Sequence, residues 1–283
     1  MPIGAHMSIA GGVGNAILRG KEVGCDIVQI FTKSSNQWKA RPLAEEEINQ
    51  FKKNRKDTGI WPVLAHNSYL INLASPDTEL YEKSIDAMFI EMERAEALGL
   101  PYIIMHPGAH VGSGEETGLA RIADSLNILF EKTKGYKVRL LLETTAGQGT
   151  VLGHRFEHIM VIIDKVKDDK RIGVCLDTCH SYVAGYDIKN RYDQVFQEFD
   201  EIIGMKRLKA FHLNDTLKVL GSRVDRHWHI GKGELGLETF ERLMKDDRFK
   251  DLPMILETPK GVDEDGNDMD VINLRILREL RRK

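Results

Sequence analysis

The chain has 283 residues, 42% of them hydrophobic and 29% charged, enough to bury a sizeable core in one large α/β domain or two ordinary ones. Its formal net charge of −3 does not announce a nucleic-acid partner, and 3 cysteines (Cys25, Cys175, Cys179) are too few for a disulfide framework. No stretch approaches the roughly 20 apolar residues that span a bilayer, and "MPIGAHMSIAGG" lacks the basic-then-apolar order of a signal peptide, so a cytoplasmic location is expected.

Taken in chain order, short β-branched runs alternate with helix-period segments. Strands are expected at Ile3–His6, Ile27–Phe31, Val63–His66, Tyr102–His106, Val138–Glu143, Ile172–Asp177, Leu208–Leu213 and Pro253–Glu257. Between them "EEEINQFKKNRKDTG", "ELYEKSIDAMFIEMERAEALG", "GLARIADSLNILFEKT" and "ETFERLMKDDRF" carry helical spacing. About eight strand–helix units predict a (β/α)₈ barrel. The alternative, an open doubly wound sheet, lacks a Gly-rich phosphate loop after an early strand. No Pro/Ser-rich linker interrupts the chain, so residues 1–283 read as a single domain. The terminal "LRILRELRRK" reads as a last helix with one solvated face.

The ends of the expected strands carry metal-ligand chemistry. The third ends in His66, the fourth in His106, the fifth in Glu143 and the sixth in Asp177; the seventh holds His212 near its end, and the eighth ends in Glu257. In a parallel barrel these ends surround one mouth. A lone His or Glu there is more often a satisfied polar residue than a ligand. Six converging side chains are different, because together and unpaired they would cost several kcal/mol each to desolvate. Divalent cations remove that cost, and a His/Asp/Glu set without thiolates suits zinc or manganese. Beyond the strands, His180 follows Asp177 by three residues, and "GSRVDRHWHIGKG" offers Asp225 and His227 on one side of an extended segment. His229 continues that alternation and ranks below His227. His6 also ends a strand and reads as a supporting or substrate contact.

The stretch "VCLDTCH", residues 174 to 180, tests this scheme. Cys175 and Cys179 are separated by three residues, not the two of a zinc knuckle or thioredoxin-like motif, and no second pair completes a Cys₄ site. The two cysteines read as small buried fillers, with Asp177 and His180 as the working residues.

"HNSYLINLA" (66–74), "GVCLDTCH" (173–180) and "HLND…GSRVDRH" (212–227) resemble the signatures of the endonuclease IV family of apurinic/apyrimidinic (AP) endonucleases. "FTKSSNQW", "HPGAH", "ETTAGQG" and "ILET" are similar to that family in the same order, so the resemblance spans essentially the whole chain. It implies a (β/α)₈ barrel with three zinc ions, with manganese an alternative at one or more sites. His66 and His106 would hold the first ion, and Glu143 would bridge it to the second, completed by Asp177, His212 and Glu257. His180, Asp225 and His227 would hold the third. The implied reaction on duplex DNA is hydrolysis of the phosphodiester 5′ to an abasic site, leaving a 3′-hydroxyl and a 5′-deoxyribose phosphate. Zinc-activated hydroxide would attack, with Glu143, or Glu257 as second candidate, orienting or deprotonating the water. Three divalent ions would also turn the formal charge of −3 positive.

Tyr69 and Leu70 match family residues that push into the duplex at the lesion. The chain departs from the family in two loops: Asn36 stands where well-known members have arginine, and Thr216 and Leu217 intervene before Lys218 where a small residue and lysine usually follow "HLND". The resemblance implies a monomer that acts on abasic duplex DNA, with no membrane partner. A divalent-metal sugar isomerase or epimerase on a related barrel is the alternative function, disfavoured because a sugar site has no evident need for His180, Asp225 and His227.

Overall fold

The computed structural model describes residues 1–282; Lys283, the last residue of the expected C-terminal helix, lies outside the described residues. Eight parallel strands close into a barrel: β1 (Ile3–His6), β2 (Ile27–Phe31), β3 (Val63–His66), β4 (Tyr102–Met105), β5 (Arg139–Glu143), β6 (Ile172–Asp177), β7 (Leu208–His212) and β8 (Met254–Leu256). Each pairs with the next in sequence, and β8 returns to β1 through Ile3↔Met254, Gly4↔Ile255 and Ala5↔Leu256. The expected (β/α)₈ barrel forms, and the open-sheet alternative is excluded.

The helices are α1 (Val13–Glu22), α2 (Glu45–Thr58), α3 (Thr78–Leu98), α4 (Glu115–Lys132), α5 (Phe156–Lys165), α6 (Thr178–Ala184), α7 (Tyr192–Ile202), α8 (Gly236–Lys245) and α9 (Met269–Arg282). Their ends follow local chemistry. Glu45, Glu46 and Glu47 sit in the first turn of α2 and Arg55 and Lys56 in its last, complementing the helix dipole, and Gly59 at φ 74° stops it. Asp77 caps α3 by accepting from the Leu80 N–H at 2.7 Å. The sequence suggested that α8 runs on through Phe249, but it stops at Lys245. Asp246 leaves helical geometry at ψ 108°, and its carboxylate accepts from the Arg248 N–H, starting a separate turn at Asp247–Phe249.

Most of the core lies between the sheet and the helices. A smaller cluster fills the barrel itself: Ile27, Leu64, Ile104, Leu141, Cys175, Ala210 and Ile255. By register, Gly4 is the β1 member of this layer, facing Ile255 and Ile27; a Cβ there would stand 1.8 Å from the Ile27 carbonyl oxygen. Side chains on a strand return to the same face every second residue. Two residues above the plug, the next inward layer is therefore His6, Gln29, His66, His106, Glu143, Asp177, His212 and Glu257. One layer is apolar and the next wholly polar.

A local irregularity is needed to make this layer. Val174 pairs with Leu208, but Cys175 pairs with Ala210, a one-residue shift between β6 and β7. An unshifted ladder would set Phe211 against Asp177. The shift sets His212 there and keeps it pointing inward. Two short antiparallel ladders cover the mouth: Gly108–Ala109 with Val151–Leu152, and Asp215–Thr216 with His227–Trp228.

Candidate metal centre

The side chains singled out at the strand ends converge. His66, His106 and Glu143 form one group whose ligand atoms lie within 4.8 Å of one another; Glu143, Asp177, His212 and Glu257 form a second, and His180, Asp225 and His227 a third. Glu143 stands between them. Its Oε2 lies 3.1 Å from His66 Nε2 and 3.3 Å from His106 Nε2, while its Oε1 lies 2.8 Å from His212 Nδ1 and 3.3 Å from His180 Nδ1. Asp177 Oδ2 occupies a similar place between the second and third groups, 3.9 Å from His212 Nδ1 and 3.5 Å from His227 Nε2.

Most of these side chains are held from behind. His66, His180 and His227 each direct Nδ1 at a main-chain carbonyl (Asn67 at 2.8 Å, Thr144 at 2.9 Å, Glu257 at 3.2 Å), which leaves Nε2 facing the centre. Asp177 caps α6 through Oδ1, accepting from the His180 N–H at 2.8 Å, and its Oδ2 accepts from the Asn214 amide at 2.7 Å. The same Asn214 accepts from the Glu257 N–H at 2.9 Å. The sequence did not single out Asn214 or Gln29. Gln29 could have been found by counting two residues up β2 from Ile27, but Asn214 carries no such signal, since it lies past the end of β7.

The acids and bases of the centre perturb one another strongly. Burial disfavours ionised Glu143, yet the imidazoles of His212 and His106 hold its carboxyl well below the usual range. Burial likewise opposes charge on His180 and His212, yet Asp177 and Asp225 push His180, and Cys175 with Glu257 and Glu143 push His212, well above an ordinary imidazole. Four carboxylates and five imidazoles with their lone pairs turned inward fit divalent zinc in donor type and number. Burial pushes the Cys175 thiol up to about 11 and the Cys179 thiol to about 12; Cys175 lies in the apolar plug, while Cys179 lies within ligand reach of Asp177 and His227.

The chain matches the "Xylose isomerase-like TIM barrel" family model over residues 17–280. It is 52% identical over 279 residues to the probable endonuclease 4 of Chloroflexus aurantiacus, covering 98% of this chain and 97% of that one. The probable endonuclease 4 of Geobacter sulfurreducens is 51% identical, with 99% and 95% coverage. The crystal structure of endonuclease IV from Thermus thermophilus superposes with a TM-score of 0.88 at 36% identity, covering 100% of this chain and 99% of that one. The chain belongs to the endonuclease IV family. A D-tagatose 3-epimerase-like protein at 18% identity and TM-score 0.75 shares the barrel alone.

The loops in which endonuclease IV resemblance places DNA contacts flank the centre. Tyr69 is 64% exposed, its ring packed edge-on at 5.6 Å from Phe31 and tilted at 5.5 Å from His66. Leu70 beside it is half-buried, and Asn36 is exposed in the neighbouring loop. A buried ion pair ties these two loops to α3. Lys33 Nζ lies 3.2 Å from Glu91 Oε1, which also accepts from the Ser68 N–H at 3.0 Å, and the Ser68 hydroxyl donates to the Ser35 carbonyl. Of the departures from the family pattern, Thr216 is buried in the ladder with His227, and Leu217 projects with 49% exposure. His6 packs on Phe31 at 4.5 Å and lies 3.6 Å from Glu257 Oε1, within the polar layer. His229 turns away, accepting from the Asn273 amide at 3.2 Å.

Glu115, His154 and His158 form a further group with metal-ligand spacing. Here Arg155 takes the place of a cation: its Nη2 lies 2.9 Å from Glu115 Oε2 and 2.7 Å from His158 Nε2. The group is a charged latch between the start of α4 and the start of α5.

Proposed function

We propose that this endonuclease IV family member is a zinc-dependent AP endonuclease that hydrolyses the phosphodiester 5′ to abasic sites in duplex DNA. The observation that carries the reading is the placement of Glu143, which offers one carboxylate oxygen to His66 and His106 and the other to His212. That geometry supports a bridging ligand between two ions. We assign the first ion to His66, His106 and Glu143, the second to Glu143, Asp177, His212 and Glu257, and the third to His180, Asp225 and His227, with manganese an alternative at one or more positions. Zinc in such a site supplies Lewis acidity toward the phosphate and lowers the pKa of a water to about 7.

The chain's own groups do the rest. Tyr69 and Leu70, beside the mouth, enter the duplex at the lesion and hold the strand with its scissile phosphate over the centre. Glu143 orients the attacking water through a carboxylate oxygen. Glu257, whose side chain keeps 12% exposure, is the second acceptor for its proton. The imidazoles and carboxylates that face the phosphate are held by hydrogen bonds from behind, so little reorganisation accompanies charge development. The products are a 3′-hydroxyl and a 5′-deoxyribose phosphate. The enzyme is taken as a monomeric single domain of the cytoplasm, a reducing compartment that its three free, buried cysteines suit. Among the described residues, no helix is long and apolar enough to cross a membrane.

The test is incubation of zinc-loaded protein with a duplex carrying one abasic site, with both product ends mapped. Incision on the 5′ side with a 3′-hydroxyl is expected. Cleavage on the 3′ side, or none, would refute the reading.

A further inference from the structure

Gln29 lies in the middle of β2, fully buried in the polar layer of the barrel. Its amide nitrogen donates to Glu257 Oε1 at 2.6 Å and lies 3.0 Å from His6 Nδ1. Its amide oxygen lies 2.8 Å from His212 Nε2. These contacts leave the amide no choice of orientation. A carboxylate only accepts, so the nitrogen must face Glu257 and the oxygen must face His212. An amide oxygen also only accepts, so His212 must carry its proton on Nε2. As a neutral metal ligand it would therefore offer the lone pair of Nδ1, the atom that lies 2.8 Å from Glu143 Oε1 and 3.2 Å from Glu257 Oε2.

His212 therefore differs from its neighbours. His66, His180 and His227 are oriented through Nδ1 by main-chain carbonyls, which no side-chain substitution removes. His212 is presented the other way round, and a side chain from a distant strand sets it. We propose that Gln29 is a positioning residue: it fixes His212 as an Nδ1 ligand and holds Glu257 Oε1, so that two of the four side chains of the second metal position are set by one amide. The proposal rests on the metal-centre reading given above and adds to it a residue that touches neither metal nor substrate.

The test compares wild type, Gln29→Met and Gln29→Asn, each loaded with zinc and equilibrated against chelator-buffered zinc. Methionine keeps the volume and removes every hydrogen bond; asparagine keeps the amide and shortens its reach, so it serves if the methionine variant fails to fold. Both should release one ion with an affinity on the order of 10–100-fold weaker, the usual effect of removing a group that orients a ligand. The remaining ions should stay at wild-type affinity. In ¹⁵N-histidine spectra the His212 Nε2–H signal, protected in wild type, should broaden by exchange in both variants. Incision should lose kcat with little change in KM for the DNA, since the Tyr69 loop is untouched. Wild-type zinc affinity together with an unchanged His212 signal in a folded variant would overturn the proposal. Wild-type protein that holds no zinc would instead overturn the metal-centre reading on which it rests.

Discussion

Lys33 and Glu91 form an ion pair with side chains only 3% and 1% exposed, so their replacement should show strong coupling. Burial pushes the Glu91 carboxyl up, and the opposing pull of Lys33 and the Ser68 N–H does not reverse it. Desolvation therefore outweighs pairing, and the pair stabilises the fold little in net terms. Removing one partner is another matter, because it strands the other charge in the protein interior. Lys33→Met and Glu91→Leu should each cost about 3–5 kcal/mol. In the double variant no charge is stranded. What remains is the orphaned Ser68 N–H, worth roughly 1–3 kcal/mol, since the Gln37 carbonyl that Lys33 also bonds belongs to an exposed residue and can turn to water. Urea unfolding of all four zinc-loaded proteins measures this, and the double variant should be more stable than either single one. Binding of an abasic duplex should nevertheless stay weakened in the double variant, since the loops carrying Ser35 and Tyr69 lose their common anchor on α3. Losses that simply add across the two sites would refute the reasoning.

Elemental analysis should find about three ions per chain, mainly zinc; at most one would contradict the trinuclear assignment. Prolonged chelation should abolish incision and lower the unfolding temperature, because the carboxylates of Glu143, Asp177 and Glu257 are then left to repel one another. Replacing Tyr69 and Leu70 together by alanine should weaken abasic-duplex binding while leaving zinc content intact, and wild-type binding and cutting would dismiss the wedge. Burial, with help from His154 and Arg155, pushes His158 down to about 4. The unfolded chain thus takes up its proton near pH 6.5 while the fold resists, and stability falls as pH drops from there toward 4. In His158→Gln this part of the slope should flatten, which urea titrations at several pH values would reveal; an unchanged slope removes His158 as the cause. Cys175 and Cys179 both replaced by alanine should lose on the order of 1 kcal/mol each yet keep metal and activity, whereas Asp177→Ala should lose both. A folded, zinc-poor double-cysteine variant beside an active Asp177→Ala would reverse that assignment.

The barrel was legible because strand and helix periods alternate without interruption, although β5 and β8 each start one residue later than expected, at Arg139 and Met254. The candidate site was legible for the same reason. His66, Glu143 and Asp177 are the last residues of β3, β5 and β6, and a parallel barrel brings all strand ends to one mouth. What stayed hidden depends on pairing between distant segments. The shift between β6 and β7 has no signature in "LKAFH", yet it decides that His212 rather than Phe211 meets Asp177. The stop of α8 was missed because helical spacing continues through "KDDRF", while the Asp246 carboxylate captures the Arg248 N–H and ends the helix first.

Gln29 was missed for a different reason. Strand ends stand out through groups that bind metal, and an amide in mid-strand is not one of them. Yet in a layered barrel a strand's ligand is defined by height, not by sequence position. β2 reaches the polar layer at Gln29 and continues two residues to Phe31, so its contribution to the mouth lies inside the run instead of at its end. The same rule accounts for "VCLDTCH". Cys175 lies level with Ile27 and Leu64 in the apolar plug, and Asp177 lies one layer higher with His66 and Glu143. A two-residue step along one strand crosses from packing to chemistry. Cys179 lies beyond that step, on α6, where the turn that Asp177 caps buries its thiol and sends His180 toward Asp225, 3.1 Å away. The two cysteines border the working residues instead of replacing them: Cys175 fills the plug beneath His212, and Cys179 packs beside Asp177 and His227.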